Sequence, residues 1–371
     1  MLLKGVKVLD LSNLLPGPMC SLFLADLGAD VVKIESLDGD LMRKLDNVDG
    51  KSPYFSALNR NKKSIAINLK TIEGKKIFIE LAKDADVIIE GFRPGKIDSL
   101  GIGYANVKKI NPKVIFCSIS GYGQQGAYKS KAGHDINYAA LSGLLDSLSQ
   151  KPFVPGIQIA DIGSAMTSAL SIMAALFYRE KSGKGNYIDV SVFHSSLSLI
   201  GIYISHQSLS KKRKTVLSGS KPCYSLYETK DGKYASFGAI EGKFWKSFCN
   251  SVERNDLISK QFDESPVILQ EMRQLFKSKT LNEWVNLGKE RDFCIEPLSR
   301  LDKVDDFVRN RKIFMRLDNM KQVAMPVVFS SVKGLNYSKA PKLGEHTSRI
   351  LSNIGYGNKA IQKLRDAKVI L

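Results

Sequence analysis

The feature that most constrains this chain is an alternation through its first 120 residues, where short β-type runs are separated by helical stretches. Strands that follow one another through helices pair in parallel, with right-handed crossovers and with helices covering the sheet. Val6–Leu11 reads as the first strand, followed by a Pro16-Gly17-Pro18 turn and a helix over Met19–Leu27. Asp30–Glu35, Ser64–Leu69, Val87–Glu90 and Val114–Ser118 read as further strands, with a helix over Ile72–Ala85. The predicted class is α/β with a parallel sheet.

The stretch Ile162–Glu180 is apolar almost all round, which predicts a buried helix packed on that sheet. A strand over Tyr187–Val192 and an apolar helix to about Ser205 complete a large domain of residues 1–205. Residues 206–225 read as a linker carrying the basic run Lys211-Lys212-Arg213-Lys214, a solvated loop. Tyr224–Glu228 and Lys233–Ala239, joined by an Asp231-Gly232 turn, read as a hairpin. They belong to a smaller α+β domain over 226–330, whose short helices run to about 315. Residues 331–371 form a further segment ending in a helix, and no internal repeat is found.

The formal net charge of +18, from 55 basic and 37 acidic residues, raises the question of nucleic acid. The lysines are spread along the whole chain and are not interleaved with aromatic residues as in a stacking platform, so no nucleic-acid partner is expected. Such a charge also attracts polyanionic small molecules. No apolar run approaches the roughly 20 residues of a membrane span, and MLLKGVKVLDLS alternates too regularly for a signal peptide. No membrane partner and a cytoplasmic location are therefore expected. Cys20, Cys117, Cys223, Cys249 and Cys294 fit neither a disulfide framework nor a zinc site, and no two of the four histidines stand at metal-ligand spacing.

Gly121-Tyr122-Gly123-Gln124-Gln125-Gly126 matches a dinucleotide fingerprint and follows a strand. It leads into a polar loop rather than a helix, and the next strand with its acidic residue is missing, so it carries no such site. Gly133-His134-Asp135-Ile136-Asn137-Tyr138 precedes an apolar stretch, which places His134 at a helix entrance with Asp135 or Asn137 able to cap it. A helix start disfavours an imidazolium and leaves the ring able to accept a proton. Asp161 is expected to open the Ile162–Glu180 helix as its N-cap. There the helix dipole favours the ionised carboxyl and burial opposes it. Glu241 follows a strand and precedes an amphipathic helix. Taken alone, His134 and Asp161 are more easily helix caps than catalysts, and Glu241 is simply accounted for as a first-turn carboxylate.

The stretch AGHDINYAALSG resembles the active-site loop of α-methylacyl-CoA racemases, which share the family III CoA-transferase (CaiB/BaiF) fold. The resemblance extends through VKVLDLSNLLPGPMCSLFLADLGADVVKIE, INLK, EGFRPGKIDSLGIG, SGYGQQG, ADIGSAM, GKGNYIDV, DGKYASFGAIE and LGEHT, in that order. It implies a Rossmann-like large domain and a small domain in an interlocked homodimer, with the final segment returning to the large domain. The implied reaction is racemisation or epimerisation at C2 of 2-methyl-branched acyl-CoA thioesters, by 1,1-proton transfer through an enolate. His134 and Asp161 would be the acid/base pair, with Glu241 as the carboxylate partnering His134. Backbone N–H groups at a helix start, such as the one following His134, would stabilise the enolate oxygen.

The alternative within the family is transfer of CoA between carboxylic acids through an Asp161 mixed anhydride. The transferases keep an aspartate nucleophile at that position but generally lack the histidine, and the glycine-rich loop they close over the intermediate is not evident. The resemblance puts the CoA moiety, the sole cofactor-like group expected, along Ile67, Asn68, Leu69, Lys70, Gly91, Phe92, Arg93, Gly133, Asp135, Ile136, Asn137 and Tyr138. No metal is implied. Ser36 stands where racemases have an arginine for the nucleotide phosphates, with Lys33, Arg43 and Lys63 as candidate replacements. Ser218-Gly219-Ser220-Lys221-Pro222 replaces the racemase loop bordering the acyl group.

Overall fold

The computed structural model describes residues 1–149, 151–211, 215–307, 313–332 and 334–371. Of the basic run expected as a linker loop, residues 212–214 lie outside the described residues. The chain divides into two compact units, residues 1–201 with 312–371, and residues 202–311.

The first unit is built on six parallel strands: β1 (Lys7–Asp10), β2 (Asp30–Glu35), β3 (Lys62–Ala66), β4 (Val87–Glu90), β5 (Ile115–Ser120) and β6 (Asn186–Ser191). Their order is β3-β2-β1-β4-β5-β6, a doubly wound Rossmann-like arrangement. In register, Leu9 of β1 stands opposite Val32 of β2 on one side and Ile88 of β4 on the other. β4 and β5 are buried along their whole length, as expected of strands covered on both faces. β2 and β4 have the expected bounds. β3 ends three residues before the expected Leu69, because the chain leaves the sheet into a turn where Thr71 caps the Ile72–Lys83 helix.

The segment from Gly344 onward closes the outer edge of β3. The backbone N–H of His346 donates to the Ser64 carbonyl at 2.9 Å, and the Ser64 N–H returns a bond to His346 Nδ1 at 3.2 Å. Further along, the Asn68 N–H donates to the Val369 carbonyl at 2.8 Å, and Ile67 bridges to Ile370. Ile350, Leu351, Ile361, Val369 and Ile370 join Leu9, Ile65, Phe78, Ile88 and Phe116 in one core. Each such side chain, fully buried, contributes about 1.5–3 kcal/mol. An edge strand covered in this way is not open to pairing with another chain.

Residues 312–330, expected in the small domain, cluster with the first unit. Within them a hairpin of Phe314–Leu317 and Met320–Val323 presents Gln322 to Arg60, whose guanidinium grips the Asp26 carboxylate. The second unit holds an antiparallel sheet of β7 (Tyr224–Glu228), β8 (Tyr234–Gly238) and β9 (Ile295–Pro297). Its core is aromatic: Tyr227 stacks on Phe276 at 4.3 Å, with Phe237, Trp245, Phe248 and Trp284 around them.

The apolar helix runs over Ile159–Ser182, in contact with the Asp135–Leu141 helix and with β6, and only part of it is buried, with Met166, Leu170 and Phe177 exposed. With 24 residues and a mean hydropathy of 1.5 over its most apolar stretch, it reaches membrane-span length and composition. This corrects the expectation that no apolar run comes near that length. The helix packs one face on β5, β6 and the Pro16–Asp26 helix, as expected, while its other face is exposed, which corrects the expectation of a helix buried throughout.

Candidate active site

In a doubly wound sheet, ligands bind where the strand order reverses and the loops leaving neighbouring strands diverge. That point lies between β1 and β4. The loop after β1 (12–17) and the loop after β4 (91–94) both line a cleft of about 360 Å³, within the size range of small-molecule sites. The other walls come from Ile119, Ser120, Gly121, Lys129, Lys131, Ala132, Gly133, His134, Tyr138, Asp161 and Val192.

A buried ionic cluster holds the 12–17 loop. Lys33 is fully buried; its Nζ donates to the Ser12 carbonyl at 2.8 Å and lies 2.9 Å from an oxygen of the buried Asp40. Asp40 Oδ1 in turn accepts from the Leu14 N–H at 3.2 Å, and Leu14 sits in the left-handed region at φ 66°. A bulky residue is held there only when its surroundings over-determine it. Asp10 accepts from Ser12 and Ser21 and pairs with Lys62 at 3.3 Å. Burial works against its charge, but Lys33, Lys62 and the two hydroxyls outweigh it, and its pKa falls to about 2.

His134 is the N-cap residue of a helix over Asp135–Leu141, and its backbone N–H donates to Asn137 Oδ1 at 3.0 Å. Tyr138 anchors this corner: its phenol donates to the Gly133 carbonyl at 2.6 Å, and burial pushes its own pKa up to about 12. The ring fills space that only glycines leave free. A Cβ at Gly121 would come 2.5 Å from the phenol oxygen, and one at Gly133 would come 2.8 Å from the ring.

Asp161 is not the N-cap. The Ile159–Ser182 helix begins two residues before it, behind Gln158, whose side chain makes no cap bond. The cap comes from Asp135, whose Oδ1 accepts from the Asp161 N–H at 2.9 Å, with a second bond from the Ala160 N–H. With its N–H already paired, Asp161 presents its carboxyl to the cleft. Burial first, and then the nearby Asp135, push its pKa up to about 7. Burial therefore overcomes the helix dipole, which leaves this carboxyl able to give or take a proton near neutral pH.

The cleft unites Gly91, Phe92, Arg93, Gly133, His134, Tyr138 and Asp161. Ile67 does not belong to it: its side chain is core and its N–H donates to the Glu35 carbonyl. Asn68 and Leu69 are half-buried and Lys70 is exposed, all outside the cleft lining, as are Asp135, Ile136 and Asn137. Glu241 stands in the second unit as the N-cap residue of the Gly242–Ser251 helix. Of the three cations considered for the phosphates, Lys33 is buried and Arg43 is committed to Glu35, while the half-exposed Lys63 pairs with Asp30. Three lining groups were missed by the sequence reading. Lys129 and Lys131 follow the rejected glycine motif, and Ser120 has a buried hydroxyl with no hydrogen-bond partner among the described residues.

A doubly wound sheet whose switch-point cleft is lined by a histidine and by a carboxyl of raised pKa fits an enzyme of the proton- or group-transferring kind. The chain belongs to CoA-transferase family III, whose profile matches residues 3–347. It is 31% identical over 385 residues to the α-methylacyl-CoA racemase of Homo sapiens, covering 100% of this chain and 98% of the relative. It is likewise 31% identical to the human succinyl-CoA:glutarate CoA-transferase, over 99% of this chain and 90% of the relative. Among solved structures, a CaiB/BaiF family protein from Brucella suis superposes with a TM-score of 0.83 at 28% identity, covering 95% of this chain and 99% of that one.

Proposed function

We propose that this protein interconverts the two configurations at C2 of 2-methyl-branched acyl-CoA thioesters by 1,1-proton transfer. The reading rests on one observation: Asp161, with a pKa raised to about 7, lines the same cleft as His134. Two proton-transferring groups on either side of a carbon acid invert it by one removing the proton as the other returns one. For one enantiomer His134 takes the C2 proton, leaving an enolate, and the Asp161 carboxylic acid delivers its proton to the opposite face. The other enantiomer uses the reverse pair. The backbone N–H after His134 is assigned to the enolate oxygen, and Arg93, Lys129 and Lys131 to the phosphates of CoA.

The reading includes a homodimer. Met166, Leu170, Met173 and Phe177 recur at helical spacing along the Ile159–Ser182 helix as an exposed apolar stripe, which suits a partner surface. CoA transfer through an Asp161 mixed anhydride is the second reading, favoured by the human CoA-transferase relative at the same 31% identity.

One experiment separates the two. Either enantiomer of a 2-methylacyl-CoA in D2O, without acceptor acid, should gain deuterium at C2 and yield both isomers, and His134→Ala should abolish this. Absence of exchange over several acyl chains, together with hydroxylamine trapping of an Asp161 acyl species when an acceptor acid is present, gives the transferase reading instead.

A further inference from the structure

We infer that Asp135 is a positioning residue of this same reaction, tying the backbone of the base to the backbone of the acid and biasing the acid by its charge. The inference rests on the proton-transfer reading above. Asp135 directly follows His134, and its carboxylate reaches 26 positions along the chain to cap the first turn that carries Asp161. One side chain thus fixes the distance between two helix starts. Gln158 does not duplicate the cap, and among the described residues no other side chain bonds to that helix start.

The two carboxyls stand in unlike surroundings. Asp135 accepts the N–H groups of Asp161 and Ala160, which favour its charge against the burial that raises its pKa. No hydrogen bond reaches the Asp161 carboxyl among the described residues, and there burial and the Asp135 charge act in the same direction. These surroundings favour the charge on Asp135 and the proton on Asp161. The ionisable groups sharing the cleft with Asp161 are His134 and Tyr138 from the 134–141 corner, Arg93 from the loop after β4, and Lys129 and Lys131. The Pro16–Asp26 helix contributes only Pro16 and Gly17 to that lining, β5 contributes Ile119 and Ser120, and the Val192–Leu199 helix contributes Val192. Asp135 is therefore the negative group placed to hold a proton on Asp161.

Two variants of the full-length protein separate charge from cap. Asp135→Asn keeps an acceptor oxygen and removes the charge; Asp135→Ala removes both. The Asp161 carboxyl is titrated by 13C NMR with labelled aspartate, its resonance assigned with Asp161→Asn, and the pH profile of C2 deuterium exchange is recorded alongside. Asp135→Asn should lower the Asp161 midpoint by about 1 pH unit and move the matching limb of the exchange profile with it. Asp135→Ala should in addition lower kcat by about 10-fold or more, with a smaller change in KM. An unmoved Asp161 midpoint in Asp135→Asn overturns the electrostatic role, and a wild-type kcat in Asp135→Ala overturns the positioning role. If the wild-type protein shows no exchange, the reaction assignment falls, while the NMR midpoint still decides whether Asp135 biases Asp161.

Discussion

Replacing Lys33 by Met tests the ionic cluster behind the cleft, because Met nearly matches the aliphatic length of Lys but brings no charge. Three acceptors would lose their donor or counter-charge: the Ser12 carbonyl at 2.8 Å, Asp40 at 2.9 Å and Asp10, whose depressed pKa depends on Lys33. Removing one member of a buried charge pair costs about 3–5 kcal/mol, since the remaining charge is neither solvated nor paired. The acid response should change too. Depression of Asp10 from 3.8 to about 2 is worth about 2 kcal/mol. Because the folded value lies below the unfolded one, that contribution is complete above about pH 4 and is lost as the pH falls through about 2. In Lys33→Met the depression shrinks, so the loss begins at higher pH. Both tryptophans, Trp245 and Trp284, lie in the second unit, so intrinsic fluorescence reports on the wrong region. Hydrogen exchange of peptides spanning β1 and β2 reports on the right one, and their protection should fall by roughly 100-fold or more at pH 7. Protection within about 3-fold of wild type, with an unchanged acid transition, would refute the reasoning.

Asp161→Asn should lower C2 exchange by about 10²-fold or more and yet stabilise the fold at pH 8. A carboxyl raised to about 7 opposes folding once ionised, so the wild-type protein loses stability as pH rises from about 4 to about 7. Allowing for its partial exposure, the variant should gain about 3 kcal/mol at pH 8 and nothing at pH 4, read from denaturant midpoints. Gly121→Ala drives a methyl group into the Tyr138 ring and displaces the phenol from the Gly133 carbonyl, which should cost about 1–3 kcal/mol and reduce exchange. Gly156→Ala, with open space around its Cβ, is the control that should change neither thermal midpoint nor exchange rate.

The parallel sheet was legible because a strand buried on both faces reads as a short continuous apolar run; β2 and β4 were bounded correctly for that reason. The same rule misled at β3. Ile67 and Leu69 are apolar because they pack beneath the segment from Gly344 onward, a tertiary cause that local pattern does not reveal. Asp161 was taken for a cap because Asp is a good one, and the real cap, Asp135, lies on another helix. Lys33 and Arg43 passed for surface cations since nothing local announces that Asp40 and Glu35 will bury them. His134 at a helix entrance was readable from its neighbours. Its place in one cleft with Asp161 came from family resemblance alone, because only the crossover from β5 to β6 brings the two to the same lining.

The pairing of Asn68 with Val369 joins parts of the chain made about 300 residues apart. At roughly 5–20 residues per second, a growing chain carries β3 for about 15–60 s before its cover exists. Through that interval the half-built sheet presents a bare row of amide groups to every neighbouring nascent chain, so this stretch of synthesis is where crowding among ribosomes would be most damaging. A protein stable once complete can therefore still be limited in yield by its own assembly order, and slowing translation would lengthen the exposure rather than relieve it.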